Sequence, residues 1–256
     1  MNRHGACFRK RRANSPWRQN KGVRATYMSA QRTAEESKIE CIERMGEPLG
    51  TLYSELWQEL AWLHFKWGEY NLLFGKGESR IQLMNDTAPF FFNVVQGVIR
   101  EDSILHIARL TDKTHTGGRR NLTLCLLPEL IAIPELQTRV LASIETMREA
   151  TDFCRDWRNR HIAHRDLDLA LNRNVPSLKA ADKSKMDVAL KAIGAVLDIV
   201  SLHYLNSTTS FSIPFSPDGA DRLLRVLDDG EKYNDLREKA LNSDSYNDEY
   251  FKPKYV

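Results

Sequence analysis

The sequence predicts an all-α fold, a bundle of long antiparallel helices. Three observations lead there. Apolar residues recur at steps of three and four through several long stretches, the period of one helix face. No segment alternates apolar and polar residues in the manner of a half-buried strand. Glycine, proline and asparagine fall in the gaps between the periodic stretches. With 256 residues and 42% apolar content, the chain can bury a sizeable core.

Residues 1 to 27 carry eight Lys or Arg and no acid, so they read as an unstructured basic arm. Translation starting at Met28, an RNA-tethering tail and an inert extension are the three readings of this arm. A leader helix is expected within 28 to 47, its pattern running from Arg32 to about Met45. The main helical domain is expected over 48 to 240. Its first helix spans 48 to 74, with Leu52, Leu56, Leu60, Leu63, Trp67, Tyr70 and Phe74 on one stripe, and Gly75 and Gly77 end it. The next covers 78 to 112, where Pro89 should kink or divide it. A polar, Gly-rich loop at 113 to 120 precedes a short helical piece at 121 to 132. Pro134, favoured in a first turn, opens a long helix to about Asp166. A loop at 170 to 182 leads to a helix over 183 to 205, striped by Met186, Leu190, Ile193, Leu197, Val200 and Tyr204. A loop at 208 to 217, a less regular helix at 218 to 240 with Gly230 as its weak point, and a polar tail at 241 to 256 complete the chain.

Composition narrows the function classes. The net charge of +3 includes the arm's eight cations, so residues 28 to 256 carry 3 − 8 = −5. A mildly acidic body lacks the broad basic field of a strong duplex-DNA binder. Cys7, Cys41, Cys125 and Cys154 have no paired spacing, so neither a metal site nor a disulfide scaffold is expected, and a reducing cytosol is the expected compartment. The longest apolar stretch, 88 to 99, is interrupted by Asn93 and Gln96 and falls short of the roughly 20 residues that span a bilayer. The N-terminus lacks the apolar core of a secretory signal. No GxxxxGK[ST] loop, GxGxxG turn, HExxH helix or GxSxG elbow is present.

The informative positions are polar residues that interrupt helix stripes. On the 134 to 166 stretch, Val140, Ile144, Met147, Ala150, Cys154 and Trp157 share one face at about 100° per residue. Continued by a turn or two, that face becomes His161, flanked by Arg158 and His164. The 78 to 112 stretch behaves alike: Val95 and Ile99 are followed by Asp102, His106 and Arg109, and Asp102 and His106 can pair along the helix. Charge where burial is expected is costly unless paired or wet. The Asp102, His106 and Arg109 set therefore either locks two helices together or lines a cleft. Arg158 and His164 either belong to such a cleft or mark a solvated helix end.

The segment Arg-Asn-Arg-His-Ile-Ala-His at 158 to 164 resembles the signature of the HEPN domain family: an Arg, a polar residue such as Asn, and a His a few residues on. The stretches LYSELWQELAWLHFKWGEY, TAPFFFNVVQGVIREDSILHIARLTD, NLTLCLLPELI and DWRNRHIAHRDLDLAL extend the resemblance to the abortive-infection AbiU type (the AbiU two subgroup) over about residues 48 to 235. The resemblance implies a helical bundle that dimerises. It also implies a metal-independent endoribonuclease of phage defence or a toxin system, with the motifs of two subunits meeting at the interface. Other members of such a family serve as non-catalytic binding modules, for nucleotide, RNA or a neighbouring nucleotidyltransferase antitoxin.

RNA carries its own nucleophile, the 2′-hydroxyl. A protein promotes cleavage by taking that proton and stabilising the phosphorane. His titrates near neutral pH, and Arg offers a donor fork matched to phosphate. On this basis His164 is the expected general base, or the acid if a partner subunit supplies the base. Arg158 is expected to hold the scissile phosphate and Asn159 to orient it or His164. His161, Asp102, His106 and Arg109 are expected to support the site. Arg158 and His164 are six residues apart, about 120° around a regular helix, so either a two-fold pairing of chains or a distorted helix is expected. The expected partners are RNA and a second copy, with no cofactor, no metal and no membrane. The competing readings are the binding module and a structural scaffold whose polar patches are interface salt bridges.

Overall fold

The computed structural model describes residues 33–208 and 218–242, and these form an all-α fold. The basic arm, most of the 208 to 217 loop and most of the C-terminal tail lie outside the described residues. Helix α1 (Ala34–Met45) packs along the start of α2 (Glu47–Phe74). Its residues Cys41 and Met45 are buried with Leu49, Tyr53, Leu56, Leu60, Leu63 and Trp67 of α2. The two helices approach so closely at Gly50 that a Cβ there would lie 2.5 Å from the backbone carbonyl of Cys41. Only glycine fits that crossing.

The sequence left a kink or a division open at Pro89, and the chain divides. Helix α3 (Glu78–Thr87) ends at Ala88, whose φ of −156° and ψ of 68° lie outside the helical region, as expected before proline. Helix α4 (Pro89–Leu110) restarts with Pro89 in its first turn. Its C-terminal half is the central element, burying Ile104, Ile107, Ala108 and Leu110 against α2. Its N-terminal half joins a second apolar cluster, Leu73, Met84, Phe92, Ala220 and Leu224, which also unites α3 with the start of α10 (Ala220–Leu241).

Two expectations are corrected. The Gly-rich stretch expected as a loop contains a two-stranded antiparallel hairpin, His115 opposite Arg120 and Thr116 opposite Arg119. Gly117 and Gly118 have φ of 56° and 78°, the positive values required by the tightest hairpin turn. A 3₁₀ turn at Leu124–Leu126 and α5 (Leu127–Leu130) then lead to α6 (Pro134–Ala150). The single helix expected from 134 to 166 is three pieces: α6, α7 (Asp152–Trp157) and a π-helical turn, Arg158–Ile162. The first break is at Thr151, whose buried hydroxyl donates to the Met147 carbonyl at 2.8 Å. Such back-bonding bends a helix.

After the one-turn α8 (Leu167–Ala170), helix α9 (Lys183–Tyr204) is capped by Asp182, whose carboxylate accepts from the Lys185 amide at 3.0 Å. Its expected stripe is buried from Met186 to Val200, with Tyr204 partly covered. It packs on α6, and the Trp67 indole N–H of α2 donates to Asp187 at 2.8 Å. Helix α10 continues through Gly230, although beyond it nearly every residue is exposed. Gly50→Ala should lower stability by about 1–3 kcal/mol through overpacking, read as a drop in Tm, because the colliding atoms are backbone. An unchanged Tm would show that α1 is not held against α2 in solution.

Candidate active site

Two helix ends converge to form the site: the last three turns of α4 and the π-helical turn after α7, which pack against each other. The π turn is closed by a hydrogen bond from the Ala163 amide to the Arg158 carbonyl at 2.9 Å, one residue wider than an α turn. Such turns concentrate at functional sites. Arg160 holds it from outside. Its guanidinium pairs with Asp156 at 3.3 Å and Asp166 at 3.4 Å, and donates to the Pro176 carbonyl at 2.6 Å. The Trp157 indole N–H donates to the Lys179 carbonyl at 2.7 Å, so the 170 to 182 loop is strapped across the same turn.

The distorted helix expected around Arg158 and His164 is therefore present. Arg158 Nη1 donates to Asp112 Oδ2 at 2.6 Å, and its Nε donates to Asn159 Oδ1 at 3.0 Å. Two of five guanidinium N–H groups are thus engaged, and the fork is aimed with donors to spare. Asn159 holds the arginine. His161 Nε2 lies 3.3 Å from Glu101 Oε1, and its ring meets Trp157 edge-on at 5.3 Å. Arg100 sits over the other side of this arrangement, 5.0 Å from the Trp157 ring centre. His164 is exposed, and among the described residues it makes no hydrogen bond or ion pair. No hydrogen bond within the chain joins Arg158 to His164.

The second patch differs from the expectation in burial. Asp102 and Arg109 are exposed, and His106 alone is buried, with 2% of its surface accessible. Asp102 and His106 do not pair directly. Lys66 of α2 bridges them, bonding the Asp102 carboxylate and lying 3.1 Å from His106 Nδ1. His106 Nε2 is 2.7 Å from Glu59 Oε2, a close contact without good hydrogen-bond alignment, and Arg109 reaches the same oxygen at 3.4 Å. These pairs run Glu59 to Arg109 and Lys66 to Asp102, so they tie α2 to α4 in antiparallel order. An ammonium facing Nδ1 requires a lone pair there, which assigns the proton to Nε2, facing the Glu59 carboxylate. Burial, reinforced by the charge of Lys66, pushes the His106 pKa below its usual 6.5, against the opposing pull of Glu59.

Glu101, Asp112, Glu59 and Lys66 were not among the residues singled out from the sequence. Each is the carboxylate or ammonium that complements a residue that was. The sequence carries a faint sign of Asp112 alone, an acid closing the helix before a glycine-rich stretch. Among the described residues no group of three or more His, Cys, Asp or Glu is placed to hold a metal ion, and no helix is long and apolar enough to cross a membrane.

A family model described as AbiU2, HEPN_AbiU2, matches residues 46–223, well over half of the chain. The match contains every residue of both patches. No curated protein and no solved structure matches the chain.

His106 also gives a pH prediction. A histidine whose folded pKa lies below its unfolded value of about 6.5 adds stability above that pH, and the contribution is lost as pH falls toward the folded value. Chemical denaturation at pH 7.5 and 5.5 should therefore show the wild type losing more stability on acidification than His106→Gln. Equal losses in the two proteins would refute the neutral, buried imidazole.

Proposed function

The chain belongs to the AbiU2 family of HEPN domains, and on that premise we propose that it is a metal-independent endoribonuclease whose site is completed by a second copy of the chain. The observation that carries this reading is Arg158: a guanidinium aimed by Asp112 and Asn159, with unused donors, on a π turn six residues before an exposed histidine. Arg158 binds a non-bridging oxygen of the scissile phosphate. His164 takes the 2′-hydroxyl proton. The 2′-oxygen attacks phosphorus, and the negative charge that grows on the phosphorane oxygens is met by the Arg158 fork, an effect worth about 3 kcal/mol per well-placed donor. The P–O5′ bond breaks, and the leaving 5′-oxygen takes a proton from the protonated imidazole of the other copy. The products are a 2′,3′-cyclic phosphate and a 5′-hydroxyl.

Exposed side chains on α4 support the pairing of two copies. Phe90, Val94 and Val98 are 81%, 46% and 61% exposed and fall one turn apart on one stripe. The same stripe continues to Glu101, the partner of His161. Large exposed apolar residues leading directly to a site suit an interface. A two-fold axis there would bring two π turns together. The family placement supports assigning the activity to phage defence or a toxin system, with a neighbouring nucleotidyltransferase as the partner that silences it.

His164→Ala and Arg158→Ala should each reduce cleavage of single-stranded RNA at least about 100-fold while the far-UV circular dichroism stays unchanged. Full activity in either variant would end the assignment. Cleavage should persist in EDTA and leave 2′,3′-cyclic ends, so strict metal dependence would count against this chemistry. Val98→Arg should shift the mass seen by light scattering from dimer to monomer and reduce cleavage with it.

A further inference from the structure

The 115 to 120 hairpin stands beside this site, and the catalytic reading leaves it unused. Between Asp112 and Glu129 the chain holds Lys113, Arg119, Arg120 and His115 and no acid, in a body that otherwise carries a net negative charge. All four side chains are exposed. Arg120 meets Glu129 at 3.2 Å across the surface, whereas Lys113 and Arg119 make no ion pair among the described residues. The unpaired charges of Lys113 and Arg119 and the exposed pair of Arg120 contribute little to the fold.

The hairpin is rigidly mounted. The Asn121 side-chain amide donates to the Lys113 carbonyl and the Thr116 hydroxyl, both at 2.8 Å, and the Asn121 backbone amide donates to Thr114 at 2.9 Å. Buried Thr123 returns the chain to α4, its hydroxyl 2.9 Å from the Leu110 carbonyl and 2.8 Å from that of Asp112. Asp112, where the hairpin begins, is the carboxylate that aims Arg158. A cleft of about 370 Å³ lies between α2, the end of α4 and the hairpin, lined by Glu59, Arg109, Asp112, Arg120, Asn121 and Leu122. Both of its acids are already paired with a cation, Asp112 with Arg158 at 2.6 Å and Glu59 with Arg109 at 3.4 Å. Trp62, 56% exposed, lies three residues along α2 from Glu59, with its ring stacked on that of Phe65 at 5.7 Å.

We propose that the hairpin and this cleft form a docking subsite for single-stranded RNA flanking the scissile bond, with Lys113, Arg119 and Arg120 on backbone phosphates and Trp62 under a base. The assignment of RNA rests on the nuclease reading above. The subsite chemistry is that of sequence-tolerant single-strand binding: a cationic track plus an aromatic platform. Rigid mounting reduces the ordering cost of binding. Because Asp112 belongs to both subsite and catalytic arginine, RNA seated on the hairpin places its neighbouring phosphodiester at Arg158.

The test is fluorescence anisotropy of a labelled ten-nucleotide single-stranded RNA with the full chain, titrated at several salt concentrations. Arg119→Ala/Arg120→Ala should bind about tenfold more weakly, and its salt slope should fall by about 1.4, since each phosphate contact to a single strand contributes about 0.7. Arg119→Lys/Arg120→Lys should stay near wild type, and Arg222→Ala/Lys232→Ala on α10 should match it. Equal affinity and slope in wild type and Arg119→Ala/Arg120→Ala, or no RNA binding by the wild type, overturns the subsite. Wild type that cleaves RNA while the first of these holds keeps the nuclease reading. Wild type that binds through the hairpin and does not cleave ends the nuclease reading and leaves the subsite standing.

Discussion

Burial of the last two turns of α4 against α2 is the constraint on which the site depends. Ile104, Ile107, Ala108 and Leu110 are essentially inaccessible, and each contributes roughly 25 cal/mol for every Å² of apolar surface removed from water. That packing fixes where α4 stops. Asp112 then emerges at one rotational position and Glu101 at another, and these two carboxylates receive Arg158 and His161 from the π turn. The hairpin leaves from the same point, pinned by Thr123. The helix end therefore sets the register of Arg158, His161 and the basic hairpin together.

His106 is the cost of that arrangement. An imidazole at 2% exposure must find partners, and it does so between the ammonium of Lys66 and the carboxylate of Glu59. The pairs on either side, Lys66 with Asp102 and Arg109 with Glu59, are more exposed and weaker. Their value lies in orientation, because a slip of one turn between α2 and α4 would take the buried ring away from Lys66 and Glu59. The polar seam and the apolar core therefore select the same alignment. The second patch acts as the lock that holds the first in place.

The π turn takes the six-residue spacing from Arg158 to His164 off a regular helix. A regular helix from 134 to 166 would have continued the buried face of α6 straight through Arg158. Thr151 bends the chain first. Then Arg160, anchored to Asp156, Asp166 and the Pro176 carbonyl, holds an enlarged turn open. The helix ends with His164 in solvent instead of against the core.

Helix period, the breaks at Gly75 and Pro89, the start at Pro134 and the buried stripes of α2 and α9 were all legible in the sequence, because they follow from side-chain spacing and local backbone chemistry. The residue types of the candidate site were legible too, as charges placed where a stripe should be apolar. The hairpin was hidden by its brevity: two residues per strand carry no alternation. The broken helix was hidden because threonine and arginine are common inside helices, and only their partners show that they bend or widen one here. That Asp102 and Arg109 reach water while His106 does not depends on how α2 crosses α4. So does the meeting of Arg158 with Asp112, 46 positions apart in the chain. Periodicity is a property of neighbours in sequence, and it determined the helices. Long-range pairing of charges depends on which buried faces meet, and that was decided only by the tertiary structure.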